Sequence, residues 1–86
     1  MKRKHRATLE LVFSSPTSGN VKWRDVESLL AALGASFEEA EGSRVTVELF
    51  DSIRVFHRPR PRPHPDMDKD AVASIRKWLT DNGLVP

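Results

Sequence analysis

The residues best suited to chemistry in this sequence are arginines and histidines that cluster in one short stretch. Residues 53–64 contain no carboxylate, and they carry four arginines and two histidines: Arg54, Arg58, Arg60, Arg62, His57 and His64. Arginine binds phosphate oxygens through two parallel hydrogen bonds, and histidine accepts or donates a proton near neutral pH. The stretch therefore predicts contact with a phosphate polyanion, with acid–base chemistry available beside it.

Fixed charges are segregated along the whole chain, although the formal net charge is only +2. Residues 1–9 carry four cations and no anion, whereas residues 37–51 carry five carboxylates against Arg44 alone. Such basic segments favour a polyanionic partner such as RNA. Acidic residues of a partner protein are an alternative for the same arginines, and a proline-recognition domain is an alternative for the Arg-Pro repeat over residues 58–65.

Composition excludes several other classes of protein. The 86 residues include no cysteine, which excludes a disulfide scaffold, a cysteine-based zinc site and a cysteine nucleophile. The run Asp66-Met67-Asp68 resembles the start of a calcium loop, but Lys77 stands where that loop needs its bidentate carboxylate. No apolar run approaches the roughly 20 residues of a membrane span. We therefore expect a cytoplasmic protein that contacts no membrane and needs no metal or other cofactor.

The spacing of apolar residues predicts two helices in the first half of the chain. The first covers residues 4–14, and its cationic first turn opposes the helix dipole and should fray residues 1–4. The second follows Asn20, a residue type that caps helices, and ends at Gly34, which suits a left-handed C-terminal cap.

A third helix is predicted near the end of the chain. It begins after a cap at Asp66 or Asp68 and ends at Gly83. Trp23 and Trp78 fall on the apolar faces of the second and third helices. We therefore expect both tryptophans to anchor the core rather than to stack on nucleic-acid bases.

Between the second and third helices, apolar and polar residues alternate, which is typical of strands with one buried face. The alternation predicts a weak strand over residues 35–40 and stronger strands over residues 44–49 and 53–56, joined as an antiparallel meander. These elements make a single domain over residues 1–86. The predicted class is α+β, with a three-stranded antiparallel sheet and helices packed on one of its faces.

The register of the second and third strands follows from which residues share a face. If Val47 and Val55 both face the core, a two-residue Asp51-Ser52 loop is excluded, and an odd-length loop or a bulge is predicted. His57 then lies on the apolar face against a helix. Phe56 lies on the opposite face, where it serves an open RNA-binding surface or covers the helices.

Several modest motifs, in this order and spacing, resemble the HicA family of toxins from bacterial toxin–antitoxin modules. They are a Trp23–Gly34 helix, Gly42-Ser43-Arg44-Val45-Thr46-Val47, Arg54-Val55-Phe56-His57, His64-Pro65 and the stretch Val72–Leu84. The resemblance covers residues 20–86. It implies a helix-strand-strand-strand-helix core like a double-stranded RNA-binding domain, to which the helix over residues 4–14 is an addition. It also implies metal-independent mRNA cleavage and neutralisation by a HicB-type antitoxin.

One position departs from the family pattern. The catalytic histidine of the family follows a Gly-Ser pair, and this chain has Arg44 there. Arginine cannot act as a general base near neutral pH, but it can hold a phosphate and stabilise negative charge in the transition state. Either the base has moved to His57 or His64, or cleavage is lost. The two resulting hypotheses are an endoribonuclease and a catalytically inactive module that binds RNA or the antitoxin.

Overall fold

The computed structural model describes residues 1–58 and 66–86. Its elements are α1 (Arg3–Val12), α2 (Trp23–Ala32), β1 (Ser36–Glu39), β2 (Arg44–Leu49), β3 (Ser52–His57) and α3 (Lys69–Asp81). The strands form one antiparallel sheet in the order β1-β2-β3, which confirms the predicted α+β class. The likeness to a double-stranded RNA-binding domain stays a prediction. Among the helices of residues 1–58 and 66–86, none has the length and the hydropathy of a membrane span.

Both α2 and α3 end as predicted, at a glycine in the left-handed region. Gly34 has a φ of +102° and Gly83 a φ of +80°. The N–H groups of Gly34 and Ala35 each donate to a carbonyl of the last turn of α2 at 3.0 Å. Gly83 and Leu84 repeat this pattern after α3. These paired bonds are a Schellman motif, which satisfies carbonyls that a helix end otherwise leaves unpaired.

The two helices begin differently. Of the two predicted caps for α3, Asp68 is the one used, and its carboxylate accepts a hydrogen bond from the Ala71 N–H at 2.8 Å. Asn20 does not cap α2, so that prediction is wrong, and Lys22 takes the cap position without a side-chain bond. The Lys22 ammonium lies 3.0 Å from the Asp66 carboxylate instead. This ion pair ties together the segments that lead into α2 and α3.

α1 begins at Arg3 and ends at Val12, two residues before its predicted end. The helix already includes Arg3 and Lys4, for which the cationic first turn predicted fraying. Its buried residues are His5, Leu9 and Val12, and it packs against α2 and α3. α1 is therefore joined to the rest of the chain through the other two helices.

The β2–β3 register differs from the predicted one by a single residue. Val45 pairs with Phe56, so these two side chains share the inner face of the sheet, which the helices cover. Ile53 and Val55 lie on the other face and are 58% and 55% exposed. A slip of one residue moves every side chain of a strand to the opposite face. The prediction that Ile53 and Val55 face the core is therefore wrong.

A two-residue turn at Phe50 and Asp51 sets this register. Both residues have positive φ angles, 56° and 58°, which is the backbone of a type I′ hairpin turn. The predicted odd-length loop or bulge is not present in this hairpin, where β2 ends at Leu49 and β3 begins at Ser52. Neither turn residue is a glycine or an asparagine, so the sequence lacks the usual sign of such a turn.

The core is built around three aromatic rings. Trp23 and Trp78 are 6% and 2% exposed, which confirms them as core anchors. The centroid of the Phe56 ring lies 6.0 Å from that of Trp23 and 6.1 Å from that of Trp78. Phe56 therefore covers the helices, and the alternative that it serves an open RNA-binding surface is wrong.

Candidate nucleic-acid interface

The face of the sheet that points away from the helices, called the outer face here, is open. The register assigns to it the side chains of alternate strand residues: Ser36, Glu38, Arg44, Thr46, Glu48, Ile53, Val55 and His57. None of these is buried. The outer face is therefore a surface on which an extended strand of RNA or protein has room to lie.

Arg44 and His57 are direct partners across β2 and β3 at one end of this face. The Arg58 N–H donates to the Ser43 carbonyl at 2.8 Å, which makes Ser43 and Arg58 a hydrogen-bonded pair. Hydrogen-bonded and non-hydrogen-bonded pairs of residues alternate along an antiparallel ladder. Arg44 and His57 therefore form a non-hydrogen-bonded pair, the kind in which the two side chains lie closest. The structure thus brings a guanidinium and an imidazole together on an exposed surface.

The position of His57 corrects one prediction. His57 was expected on the apolar face, packed against a helix, but it is exposed at the end of β3 on the outer face. The change follows from the register, because His57 shares its face with Ile53 and Val55 as predicted, and that face is the open one. An exposed imidazole is accessible to a substrate, which a packed one is not.

His57 also lines a cavity of about 190 Å³ between the end of β3 and the start of α3. Arg58, Asp66, Met67 and Asp68 line the same cavity. Both carboxylates already have partners there, since Asp66 is paired with Lys22 and Asp68 caps α3. The cavity is therefore a recess beside His57 whose lining combines the Arg58 side chain with two carboxylates that already have partners.

The register assigns Arg54 and Arg58 to the inner face of the sheet, and both side chains have partners within the protein. The Arg54 guanidinium lies 5.4 Å from the centre of the Trp78 ring, a cation–π contact. The Arg58 guanidinium, just after β3, forms an ion pair with Glu39 of β1, across the end of β2. Their proposed contact with RNA stays a prediction, and each would have to give up or share a contact to make it.

The other predicted site residues, Arg60, Arg62 and His64, lie outside the described residues. The two described residues that flank this stretch, Arg58 and Asp66, both line the cavity beside His57. Across residues 1–58 and 66–86, no group of three or more His, Asp or Glu side chains is placed to hold a metal ion.

His5 is a buried histidine that the sequence did not single out. It is 6% exposed, and its Nε2 lies 3.0 Å from the Ser28 hydroxyl of α2. Burial lowers the pKa of His5 below its ordinary value of 6.5, and the nearby charges of Lys4, Lys2 and the chain's amino terminus lower it further. The spacing of His5 with Leu9 and Val12 would have revealed it, because residues at i, i+4 and i+7 share a helix face.

Comparison with known families identifies a match over most of the chain. The family described as "HicA toxin of bacterial toxin-antitoxin" matches residues 23–84, which span α2, the sheet and α3 and leave out α1. No curated protein and no solved structure matches the chain.

Proposed function

Because the chain belongs to the HicA toxin family of bacterial toxin–antitoxin systems, we propose that it is an endoribonuclease that cleaves mRNA and is neutralised by a HicB-type antitoxin. As a toxin of such a system it pairs with an antitoxin. The observation that carries the proposal is the cross-strand pair of Arg44 and His57 on the open outer face. It supplies a phosphate-binding cation and a proton-transfer group side by side.

In the proposed reaction, the 2′-hydroxyl of the RNA attacks the adjacent phosphorus atom. His57 accepts the proton of that hydroxyl, and the Arg44 guanidinium stabilises the negative charge that builds up on the phosphoryl oxygens. The bond to the 5′-oxygen breaks, and this oxygen leaves with a proton supplied by a second acid or by water. The products are a 2′,3′-cyclic phosphate and a 5′-hydroxyl end, and no metal or other cofactor takes part.

His64 is the second candidate for proton transfer, and Arg54, Arg58, Arg60 and Arg62 are proposed to contact the RNA backbone. Of these, Arg58 borders the cavity beside His57. Two histidines, one accepting and one donating a proton, would complete the acid–base requirement of the reaction. The geometry beside Arg44 favours His57 as the acceptor.

The test is cleavage of a synthetic mRNA by the purified protein in EDTA. We expect cleavage products that end in 2′,3′-cyclic phosphate, and a loss of about 10²–10⁴-fold in rate for His57→Gln, the usual contribution of one acid–base group. Ile53→Ala is the matched control, since it changes the same face at its other end. Equal rates for wild type and His57→Gln, with a large loss in His64→Gln, would transfer the role to His64.

Absence of cleavage by the wild type would favour the alternative of an inactive RNA-binding or antitoxin-binding module. Arg44→His then decides what the departure from the family means. If this variant gains cleavage, arginine represents a loss of the catalytic base. If the wild type cuts and Arg44→His is slower, arginine has an adapted role in charge stabilisation.

The proposed antitoxin is tested through the neighbouring reading frame. We expect its product to form a complex with this protein and to inhibit RNA cleavage. Val55, which is next to the Arg44–His57 pair, and Ile53, farther along β3, form an apolar patch on the outer face that a bound protein would cover. A neighbouring product that neither binds nor inhibits would contradict the partner assignment and leave the cleavage assay unaffected.

A further inference from the structure

α1 carries a dense set of cations that the candidate interface does not use. Lys2, Arg3, Lys4 and Arg6 are all exposed at its N-terminal end, and Arg24 of α2 is exposed nearby. These five residues are called the α1 basic surface: Lys2, Arg3, Lys4, Arg6 and Arg24. The four on α1 lie outside the part of the chain that matches the toxin family, so the family's known site does not account for them.

The α1 basic surface makes no ion pair with another described residue. The ion pairs between described residues are Lys22–Asp66, Arg58–Glu39 and Lys77–Asp81, and none of them involves this surface. The first turn of α1 contains no acidic residue. Cations at that end oppose the helix dipole, so the arrangement costs stability in the free protein. A bound polyanion would offset that cost.

A cavity of about 310 Å³ joins the cations of the two helices. Lys4 and Thr8 line it from α1, and Arg24 and Ser28 line it from α2. His5 also lines it, and Asp25 is the single carboxylate that the described residues contribute to its lining. The recess therefore offers cations and hydroxyl groups from two elements, which are the groups that hold a phosphate.

We propose that the α1 basic surface binds the phosphate backbone of RNA, as an anchoring site separate from Arg44 and His57. The inference rests on the proposed function in taking RNA as the substrate. Among the described residues, the lining of the cavity contains no apolar side chain, whereas the core of a protein–protein interface is apolar. Lysine, arginine and hydroxyl side chains are the groups that contact nucleic-acid backbones, so the surface favours RNA over an acidic protein. The helix added to the family core thereby extends the surface that holds the substrate.

The test measures binding of a short single-stranded RNA with 2′-O-methyl groups, which cannot be cleaved through its 2′-oxygen. The variant Lys2→Gln/Lys4→Gln is compared with Lys69→Gln/Lys77→Gln, which removes the same charge from α3. Each lost phosphate contact should lower the slope of log affinity against log salt by about 0.7. We expect the first variant to lose about 1.4 in slope and about tenfold in affinity at low salt, and the control to match the wild type.

Equal affinities and slopes for the two double variants would overturn the proposal. Arg24→Gln removes the one cation of this surface that lies on α2 and leaves the sequence of α1 unchanged. A loss of RNA affinity in this variant would exclude unfolding of α1 as the reason for the weaker binding. If Lys2→Gln/Lys4→Gln loses antitoxin binding but keeps RNA binding, the surface is a protein interface and the proposal fails. If the wild type does not cleave RNA but the variant still binds RNA more weakly, the anchoring site stands and the proposed enzyme activity fails.

Discussion

Both faces of β3 carry large apolar side chains, but the one on the inner face is buried and those on the outer face are exposed to solvent. Its inner face presents Phe56, which is 6% exposed between two tryptophans, whereas its outer face presents Ile53 and Val55, which are more than half exposed. Apolar character alone therefore does not decide which face is buried. The aromatic ring fills the space between the tryptophans, and this leaves two β-branched residues on the open face with His57.

This difference has a direct consequence for the candidate site. Because Phe56 faces inward, its neighbour His57 faces outward and pairs with Arg44. A register shifted by one residue would bury His57 against the helices and separate it from Arg44. The inward packing of Phe56 and the two-residue turn at Phe50 and Asp51 thus agree on the register that forms the proposed catalytic pair.

The largest expected effect comes from removing that ring. Phe56→Ala should lower the free energy of unfolding by about 3–5 kcal/mol, because it empties the space between Trp23 and Trp78. Val55→Ala, the neighbouring change on the outer face, should change it by less than about 0.5 kcal/mol. Denaturant unfolding monitored by tryptophan fluorescence measures both. A larger loss in Val55→Ala than in Phe56→Ala would contradict the register.

The sequence was sufficient to predict the element order and the sheet topology. The ends of α2 and α3 were predictable because Gly34 and Gly83 follow the last apolar residue of each helical stripe. Trp23 and Trp78 were predictable as core residues from the same stripes. These features depend on local spacing, which a single sequence records directly.

The register was not predictable in the same way, because alternation identifies two faces without saying which one is buried. The deciding feature is the turn at Phe50 and Asp51, whose positive φ angles are usual for glycine or asparagine. The ring of Phe50 contacts Trp78 edge-on, at 6.0 Å between centroids, and this contact favours phenylalanine at the turn. Tertiary packing therefore overrides the preferred residue type at this turn.

A smaller effect is expected at the turn itself. Asp51→Gly should raise the free energy of unfolding by about 0.5–1 kcal/mol, because glycine adopts a φ of 58° without the strain of a side chain. Ser52→Gly is the matched control, and it should destabilise by about 0.5–1 kcal/mol because Ser52 is already in β3. A gain in stability from Asp51→Gly and a loss from Ser52→Gly would show that the turn ends at residue 51. A gain from Ser52→Gly would instead show that the turn lies one residue later in the chain.

The candidate site was predictable only in part. The sequence drew attention to His57 and Arg44 separately, and the register that pairs them came from the structure. Arg54 and Arg58 were predicted to contact RNA, and the sequence did not indicate that within the protein they contact Trp78 and Glu39. Contacts between residues far apart in the chain decide these outcomes, and local spacing does not record them.

The two described histidines differ in the same way as the two faces of β3, one being exposed and the other buried. His57 is exposed beside Arg44, whereas His5 is buried at the contact of α1 and α2. The His5 imidazole faces Ser28 of α2, with Arg24 and Asp25 in the adjoining cavity and Lys2 and Lys4 at the N-terminal end of α1. A proton added to His5 would therefore place a further positive charge at a buried contact among cations.

The smallest expected effect is a change in how stability depends on pH. The pKa of His5 is lowered in the folded protein, so below pH 6.5 the unfolded chain binds more protons than the folded one. The free energy of unfolding should thus fall as the pH drops through 6.5, and His5 should have no such effect at higher pH.

Unfolding curves between about pH 7.5 and pH 5.5, a window above most carboxylate titrations, measure this slope in the wild type and in His5→Gln. His5→Gln should lose part of the slope. Lys4→Gln should reduce the slope without abolishing it, since burial is the larger cause of the lowered pKa and the charge of Lys4 the smaller. A wild type and a His5→Gln variant with the same slope would mean that His5 accepts a proton in the folded state as readily as in the unfolded chain, which its buried contact with Ser28 opposes.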